Sequence, residues 1–190
     1  MGLDMYLKCN HRELVEEVFG KRVEWGYVSE DSWHRSGGYI CYWRKANMIH
    51  NWFVENVQEN EDDCKIYEVG LDILAELRDV CRNVLHSSKL VKDGMRKVHV
   101  IEDGRFVEKY QDYYVIEDPS IAIGLLPTTT GFFFGSTTYD EDYYRDVEET
   151  YRTLDFILSK FTPREDGFYG WEQTYGDTDW VVQFSYHASW

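Results

Sequence analysis

What most constrains this chain is the way its hydropathy period switches along its length. Leu3, Met5 and Leu7 alternate with Asp4, Tyr6 and Lys8, the two-residue period of a half-buried strand. From Tyr42 to Gln58 the apolar positions Tyr42, Ala46, Ile49, Phe53 and Val57 recur at three and four residues, which predicts a helix with one buried stripe. Two more amphipathic helices are predicted, over Leu71–Leu85 and Asp140–Phe161, the second stopped by Pro163. A shorter helix is expected from His11 to Phe19, capped by Asn10 and closed by Gly20.

The remaining segments read as strands. Lys97–Glu102 and Arg105–Tyr110 flank Asp103-Gly104, a hairpin signal because both turn positions favour positive φ. Further strand-like runs cover Lys65–Val69 and Tyr113–Ile116, and two short ones flank a polar loop at Ser29–Gly38. The tail reads as a C-terminal hairpin over 168–187 around Gly176-Asp177-Thr178-Asp179. Strands and helices are mixed without regular βαβ alternation. The expected fold is therefore α+β, a mainly antiparallel sheet packed with about three long amphipathic helices. The 190 residues suit a single domain over 1–190. No apolar run approaches a membrane span, and the first residues lack a secretory signal, so a cytoplasmic location is expected.

Charge narrows the partners. Lys and Arg number 20 against 35 Asp and Glu, a net charge of −15. Long nucleic acid is bound through cations that displace counterions, and no Lys/Arg-rich run is present, so no long nucleic acid is expected as a partner. Two readings of the acidity remain open: plain solubility, or an acidic face directed against a DNA-binding host protein. Acidic residues cluster at Glu59, Glu61, Asp62 and Asp63, and again between Asp140 and Glu149. Cys9, Cys41, Cys64 and Cys81 are widely spaced without a C-x-x-C pair, which suits reduced thiols and gives no metal site of standard spacing.

Two segments carry residues suited to a ligand. On the predicted helix beginning near Cys41, Trp43, Asn47 and His50 fall on one line beside the buried stripe, with Arg44 on the next and Lys45 and Trp52 on the opposite flank. Cations, an imidazole and flat aromatics together suit an anionic ligand with a π-face. The alternative is structural: indoles in the core, a satisfied histidine, cations paired with carboxylates. The second segment is LLPTTTGFFFGSTTYD, Leu125 to Asp140. Here Thr128, Thr129, Thr130, Gly131 and Ser136 offer hydroxyls and backbone N–H groups to phosphate or ribose oxygens. The alternative is a strand with its three Phe in the core, leading to a helix capped near Thr138 or Asp140. Neither segment is a P-loop or a dinucleotide fingerprint, and no cofactor or catalytic motif is present. The expected ligand is a small anionic, nucleotide-like molecule. An enzyme with His50 as general acid or base is a further reading.

The blocks MGLDMYL, YWRKANMIHNWFVENVQ and LLPTTTGFFFGSTTYD, with the C-terminal SW, resemble a family of small proteins of tailed bacteriophages, prophages and some bacteria. The blocks cover roughly half the chain; Glu24–Gly38 and Lys89–Asp118 lie outside them. The family brings no catalytic residue or ligand to carry over. What the resemblance implies is a setting: an accessory protein inside a host cell, where such proteins sequester nucleotide signals or block a host defence protein.

Overall fold

The computed structural model describes residues 2–32, 38–102, 104–161 and 181–190. It is an α+β fold with antiparallel sheets. The elements, in chain order, are β1 (Asp4–Cys9), α1 (Arg12–Glu24), β2 (Cys41–Arg44), α2 (Asn47–Asn56), β3 (Tyr67–Val69), α3 (Leu71–Ser87), β4 (Leu90–Glu102), β5 (Arg105–Ile116), α4 (Ser120–Leu125), α5 (Glu141–Leu158) and β6 (Phe184–Ser189).

The first strand organises the molecule. β1 lies between β2 and β6 in a sheet of order β2-β1-β6-β3, antiparallel at each junction. Met5 faces Trp43 and Ala188, and Leu7 faces Cys41 and Tyr186, so the alternation read in the sequence puts these residues on one buried face. That face packs on the helices: Phe53 of α2 stacks on Tyr186 at 3.9 Å and 10°. The long amphipathic helices α3 and α5 pack against each other and complete the core. The opposite face of the sheet carries Asp4, Tyr6, Lys8, Tyr42, Arg44, Ser185 and His187, none of them fully buried.

Several expectations are corrected. The segment from Tyr42 is not continuous helix: Cys41–Arg44 is strand β2, and the helix begins at Asn47. Buried Cys41 and Trp43 alternate with half-buried Tyr42 and exposed Arg44, a two-residue period hidden beneath the helical spacing of Tyr42 and Ala46. Pairing with β1 decides the matter. Helix α1 runs through Gly20 to Glu24 and is closed by Gly26, with φ +81°. There Tyr27 N–H donates to Arg22 O and Gly26 N–H to Val23 O, the two bonds of a Schellman ending. Its N-cap is His11, not Asn10. The Asp103-Gly104 hairpin is longer than expected, a two-stranded ribbon of 13 and 12 residues, with Gly104 at φ +74°. Helix α4 was not foreseen. Of the predicted hairpin over 168–187, residues 168–180 lie outside the described residues; β6 pairs with β1 and β3. Among the described residues, no helix is long and apolar enough to cross a membrane.

Candidate functional site

The two segments singled out in the sequence meet, and Asn47 is the joint. It opens α2 and is 1% exposed. Its Nδ2 donates to Phe134 O at 3.2 Å and Ser136 O at 2.7 Å, and its Oδ1 accepts from Thr129 N–H at 3.0 Å. The segment before it turns sharply: Lys45 has φ +61°, a left-handed conformation that a lysine rarely adopts. Gly135, at φ +97°, lies directly against this turn, and a Cβ there would stand 2.9 Å from Lys45 Cβ and O. The Gly-Phe-Phe-Phe-Gly stretch is thus a loop folded onto α2, not a core strand. Phe134 is buried over Gly131, while Phe132 and Phe133 are 79% and 51% exposed.

Two adjoining clefts flank the joint. The smaller, about 210 Å³, is lined by Arg44, Lys45, Asn47, Gly135, Ser136 and Thr138 on one side, and by the start of α5 on the other. The larger, about 650 Å³, is lined by Tyr6, Tyr42, Trp43 and Arg22, together with the loop at Tyr27–Ser32. Arg44, Arg145 and Asp146 belong to both, so one wall divides and connects them. Thr128, Thr129, Thr130 and Gly131 line neither of these two clefts. Thr128 is instead tied into its own loop, Oγ1 to Thr137 O at 3.1 Å, and Ser136 Oγ accepts from Thr138 N–H.

The charges around this wall are unequal in freedom. Most described cations have a carboxylate partner, as Arg22 has Glu149 and Arg96 has Glu141 and Asp142. Arg44 and Lys45, adjacent and exposed, make no ion pair among the described residues. Asp4 stands opposite Arg44 in the register, but its carboxylate accepts from the Tyr42 hydroxyl. The acidic residues facing the clefts are largely engaged. Asp140 caps α5, accepting from Asp142 and Tyr143 N–H; Asp142 pairs with Arg96 and Arg145; Glu149 holds Arg22. Asp146 is pushed up to about 7 by burial, with Arg145 opposing, so a large fraction is protonated near neutral pH. Arg22, 3% exposed, has a buried Nε–H without a hydrogen-bond partner among the described residues, and its side chain lines the larger cleft.

Aromatic surface exists here, but not where the sequence placed it. Trp43 and Trp52 are 3% and 7% exposed, and Trp43 Nε1 donates to Thr150 Oγ1 at 2.8 Å, so neither indole offers a stacking face. The outer sheet face carries a cross-strand row instead. Tyr6 lies 5.3 Å from Tyr42, 5.2 Å from His187 and 4.5 Å from Tyr39, ring centre to ring centre. Burial raises Tyr6, and burial with the Asp4 hydrogen bond pushes Tyr42 up to about 12, so both hydroxyls stay protonated. The alternation in the sequence carried this signal, since Tyr6, Tyr42 and His187 all sit between buried neighbours; which strands stand side by side was not readable.

His50 is interior. At 1% exposure its Nδ1 meets the Tyr186 hydroxyl at 2.8 Å and its Nε2 meets Asp62 Oδ1 at 3.0 Å. Burial lowers its pKa, opposed by Asp62. With both ring nitrogens engaged, it has no atom to offer a substrate in this conformation. Among the described residues, no group of three or more His, Cys, Asp or Glu is arranged to hold a metal ion. No protein family, curated protein or solved structure matches this chain.

Proposed function

We propose that this protein binds a small anionic ligand with a flat ring, of the nucleotide class. The ring would lie in the larger cleft against the Tyr6–Tyr42 row, and the phosphate in the smaller cleft against Arg44, Lys45 and Ser136. The observation that carries the reading is the pair Arg44–Lys45, without carboxylate partners among the described residues, Arg44 on the wall of both clefts and Lys45 on that of the smaller, in a chain of net charge −15. A volume of 650 Å³ lies in the usual range for small-molecule sites. Stacking on aromatic rings tolerates any base, because every base has a π-face. Asp146, in its protonated form, offers a hydrogen-bond donor to a ring or sugar acceptor at the wall shared by the two clefts. Arg44, Lys45, Asn47 and Ser136 remain in the site proposed from sequence; Trp43 and Trp52 give up the stacking role to Tyr6 and Tyr42, and His50 holds the interior. In the setting that the resemblance to phage proteins implies, the protein acts in the host cytoplasm and sequesters a nucleotide signal.

The test is a thermal-shift screen against mono-, di- and cyclic nucleotides and ADP-ribose derivatives. A ligand at 100 times its Kd adds about 2.7 kcal/mol. For a chain of this size that raises the midpoint by roughly 5–10 °C. Arg44→Ala and Lys45→Ala each reduce the shift, and the ligand released on denaturation is intact. No shift with any class, or unchanged affinity in both variants, sinks the reading. Release of fragments in place of the ligand makes the protein an enzyme.

A further inference from the structure

The acidity of the chain is missing from the outer face of the four-stranded sheet. Cross-strand partners share a face, and the acidic and basic residues that the register places there are Lys8 and Arg44 against Asp4 and Glu68. That is a balance of zero in a chain of net charge −15. Between the two cations runs an aromatic row. Tyr42, Tyr6 and His187 stand at one register level across β2, β1 and β6, with ring centres 5.3 and 5.2 Å apart. All three are half-buried, so the row is not sealed from solvent. Arg44 is two residues to one side of this level and Lys8 two residues to the other. Their backbones are about 14 Å apart, at about 3.4 Å per residue and about 4.8 Å per strand. Lys8, like Arg44, makes no ion pair among the described residues; its ammonium lies 5.1 Å from the centre of the Tyr39 ring, itself packed on Tyr6. Of the two carboxylates, Asp4 accepts from the Tyr42 hydroxyl, and Glu68 stands two strands from Lys8 at the far edge.

We propose that the ligand of the anion site is a short oligonucleotide of two or three nucleotides, laid across this face with one phosphate at Arg44 and Lys45, another at Lys8, and its bases against Tyr42, Tyr6 and His187. The inference rests on the nucleotide reading above and extends it from the larger cleft, which Tyr6 and Tyr42 line, onto the open sheet. The separation of the cations selects the ligand. A nucleoside 5′-phosphate carries its phosphates at one end of the sugar; with that end at Arg44, nothing anionic reaches Lys8. A 3′,5′-linked chain carries a phosphate on each side of an internal nucleoside, so its phosphates fall on both sides of the row. Bases stack on aromatic side chains whatever their identity, and cations flanking the rings hold the backbone. Length is limited by the same features. The row crosses three strands, and beyond its two cations the chain is acidic, so a longer strand gains no further contact and is repelled.

Isothermal titration calorimetry of the full chain with AMP and with 5′-phosphorylated oligoadenylates of two, three and six nucleotides tests this. The trinucleotide binds at least about tenfold more tightly than AMP, the gain of one further stacked base and one further phosphate. The hexanucleotide binds no more tightly than the trinucleotide. Lys8→Ala abolishes the gain, leaves AMP affinity unchanged, and reduces the slope of log affinity against log salt by about 0.7, the value for one single-strand phosphate. Lys92→Ala removes a cation from the β4–β5 ribbon instead and leaves the gain in place. Circular dichroism confirms that both variants are folded. Linear and cyclic diadenylate are compared as two sources of the same chemistry, and either supports the proposal if its excess affinity over AMP is lost with Lys8→Ala. Binding of AMP with no gain from added nucleotides overturns the proposal and leaves the nucleotide reading intact; binding of none of these probes overturns both. A gain that survives Lys8→Ala, one lost equally with Lys92→Ala, or affinity still rising at six nucleotides overturns the placement on the sheet.

Discussion

Asn47→Ala is the substitution that most directly tests how the site is held together. The amide is buried and makes three hydrogen bonds, to Phe134 O, Ser136 O and Thr129 N–H. A net hydrogen bond contributes about 1 kcal/mol, and three would contribute about 3 kcal/mol. Ser136 and Thr129 lie at the surface side and recover part of this from water, whereas the Phe134 carbonyl stays in the interior. The expected loss is therefore about 2–3 kcal/mol, most of it the orphaned carbonyl. For a domain of this size that lowers the Tm by roughly 4–12 °C.

The loss has a local signature as well. With Asn47 gone, the loop from Thr129 to Ser136 is released from α2, so the Thr129 amide exchanges faster with solvent than in the unmodified protein. Asn47→Asp serves as the control. Its carboxylate still accepts from Thr129 N–H but turns an oxygen toward the two carbonyls that the amide nitrogen served, so it is at least as destabilising as Ala. A Tm drop of less than about 2 °C, Thr129 exchange that does not change, or an Asp variant more stable than the Ala variant would refute the joint.

Two further outcomes follow from the same wall. Asp146 has its folded pKa raised to about 7 from 3.8, so its contribution is fully present below the unfolded value and is lost as pH rises through the folded one. Asp146→Asn lacks that loss; its advantage in Tm over the unmodified protein grows between about pH 4 and about pH 7 and then levels off, and a constant advantage across pH contradicts the assignment. Gly135→Ala places a Cβ 2.9 Å from the Lys45 backbone at φ +97°, and costs more than about 1 kcal/mol in urea unfolding while weakening ligand binding. A neutral Gly135→Ala would mean that the loop is not pressed against Lys45.

Much of the scaffold was legible because it rests on local periodicity. The alternation around Met5 and Leu7, the stripes of α3 and α5, the Asp140 cap and the turn at Gly104 are short-range signals, and the fold class follows from them. What failed depends on neighbours distant in sequence. Cys41–Arg44 satisfies a helical and a strand period at once, and only β1 lying beside it selects the strand. The three Phe of the loop look alike in sequence, yet only Phe134 is buried, because Gly131 makes room for its ring, Gly135 lets the chain press against Lys45 and Phe133 turns outward at φ +64°. The candidate ligand residues divide the same way. Residues next to the turn, such as Arg44 and Lys45, were found, whereas the Tyr6–Tyr42 row exists only once the sheet is assembled.

The position of the two cations weighs against a role in simple charge balance. A cation kept for stability in so acidic a chain would be expected beside a carboxylate, as Arg22, Arg96 and Arg152 are. Arg44 instead faces an Asp4 that is turned toward Tyr42, and Lys45 occupies a left-handed turn that glycine or asparagine would adopt at lower cost. Strain of this kind costs of order 1–3 kcal/mol and persists where the surroundings fix it. Here they do: Lys45 N–H donates to Leu3 O at 2.8 Å, its carbonyl accepts from Asn47 N–H at 2.9 Å, and Gly135 closes over it. The same fixation gives the two cations a defined origin on the cleft wall. The proposed function rests on this arrangement: an arginine and a lysine without an ion pair among the described residues, held in place at the backbone beside Asp140, Asp142 and Glu149, whose carboxylates are engaged; an anion is the ligand that reading assigns to them.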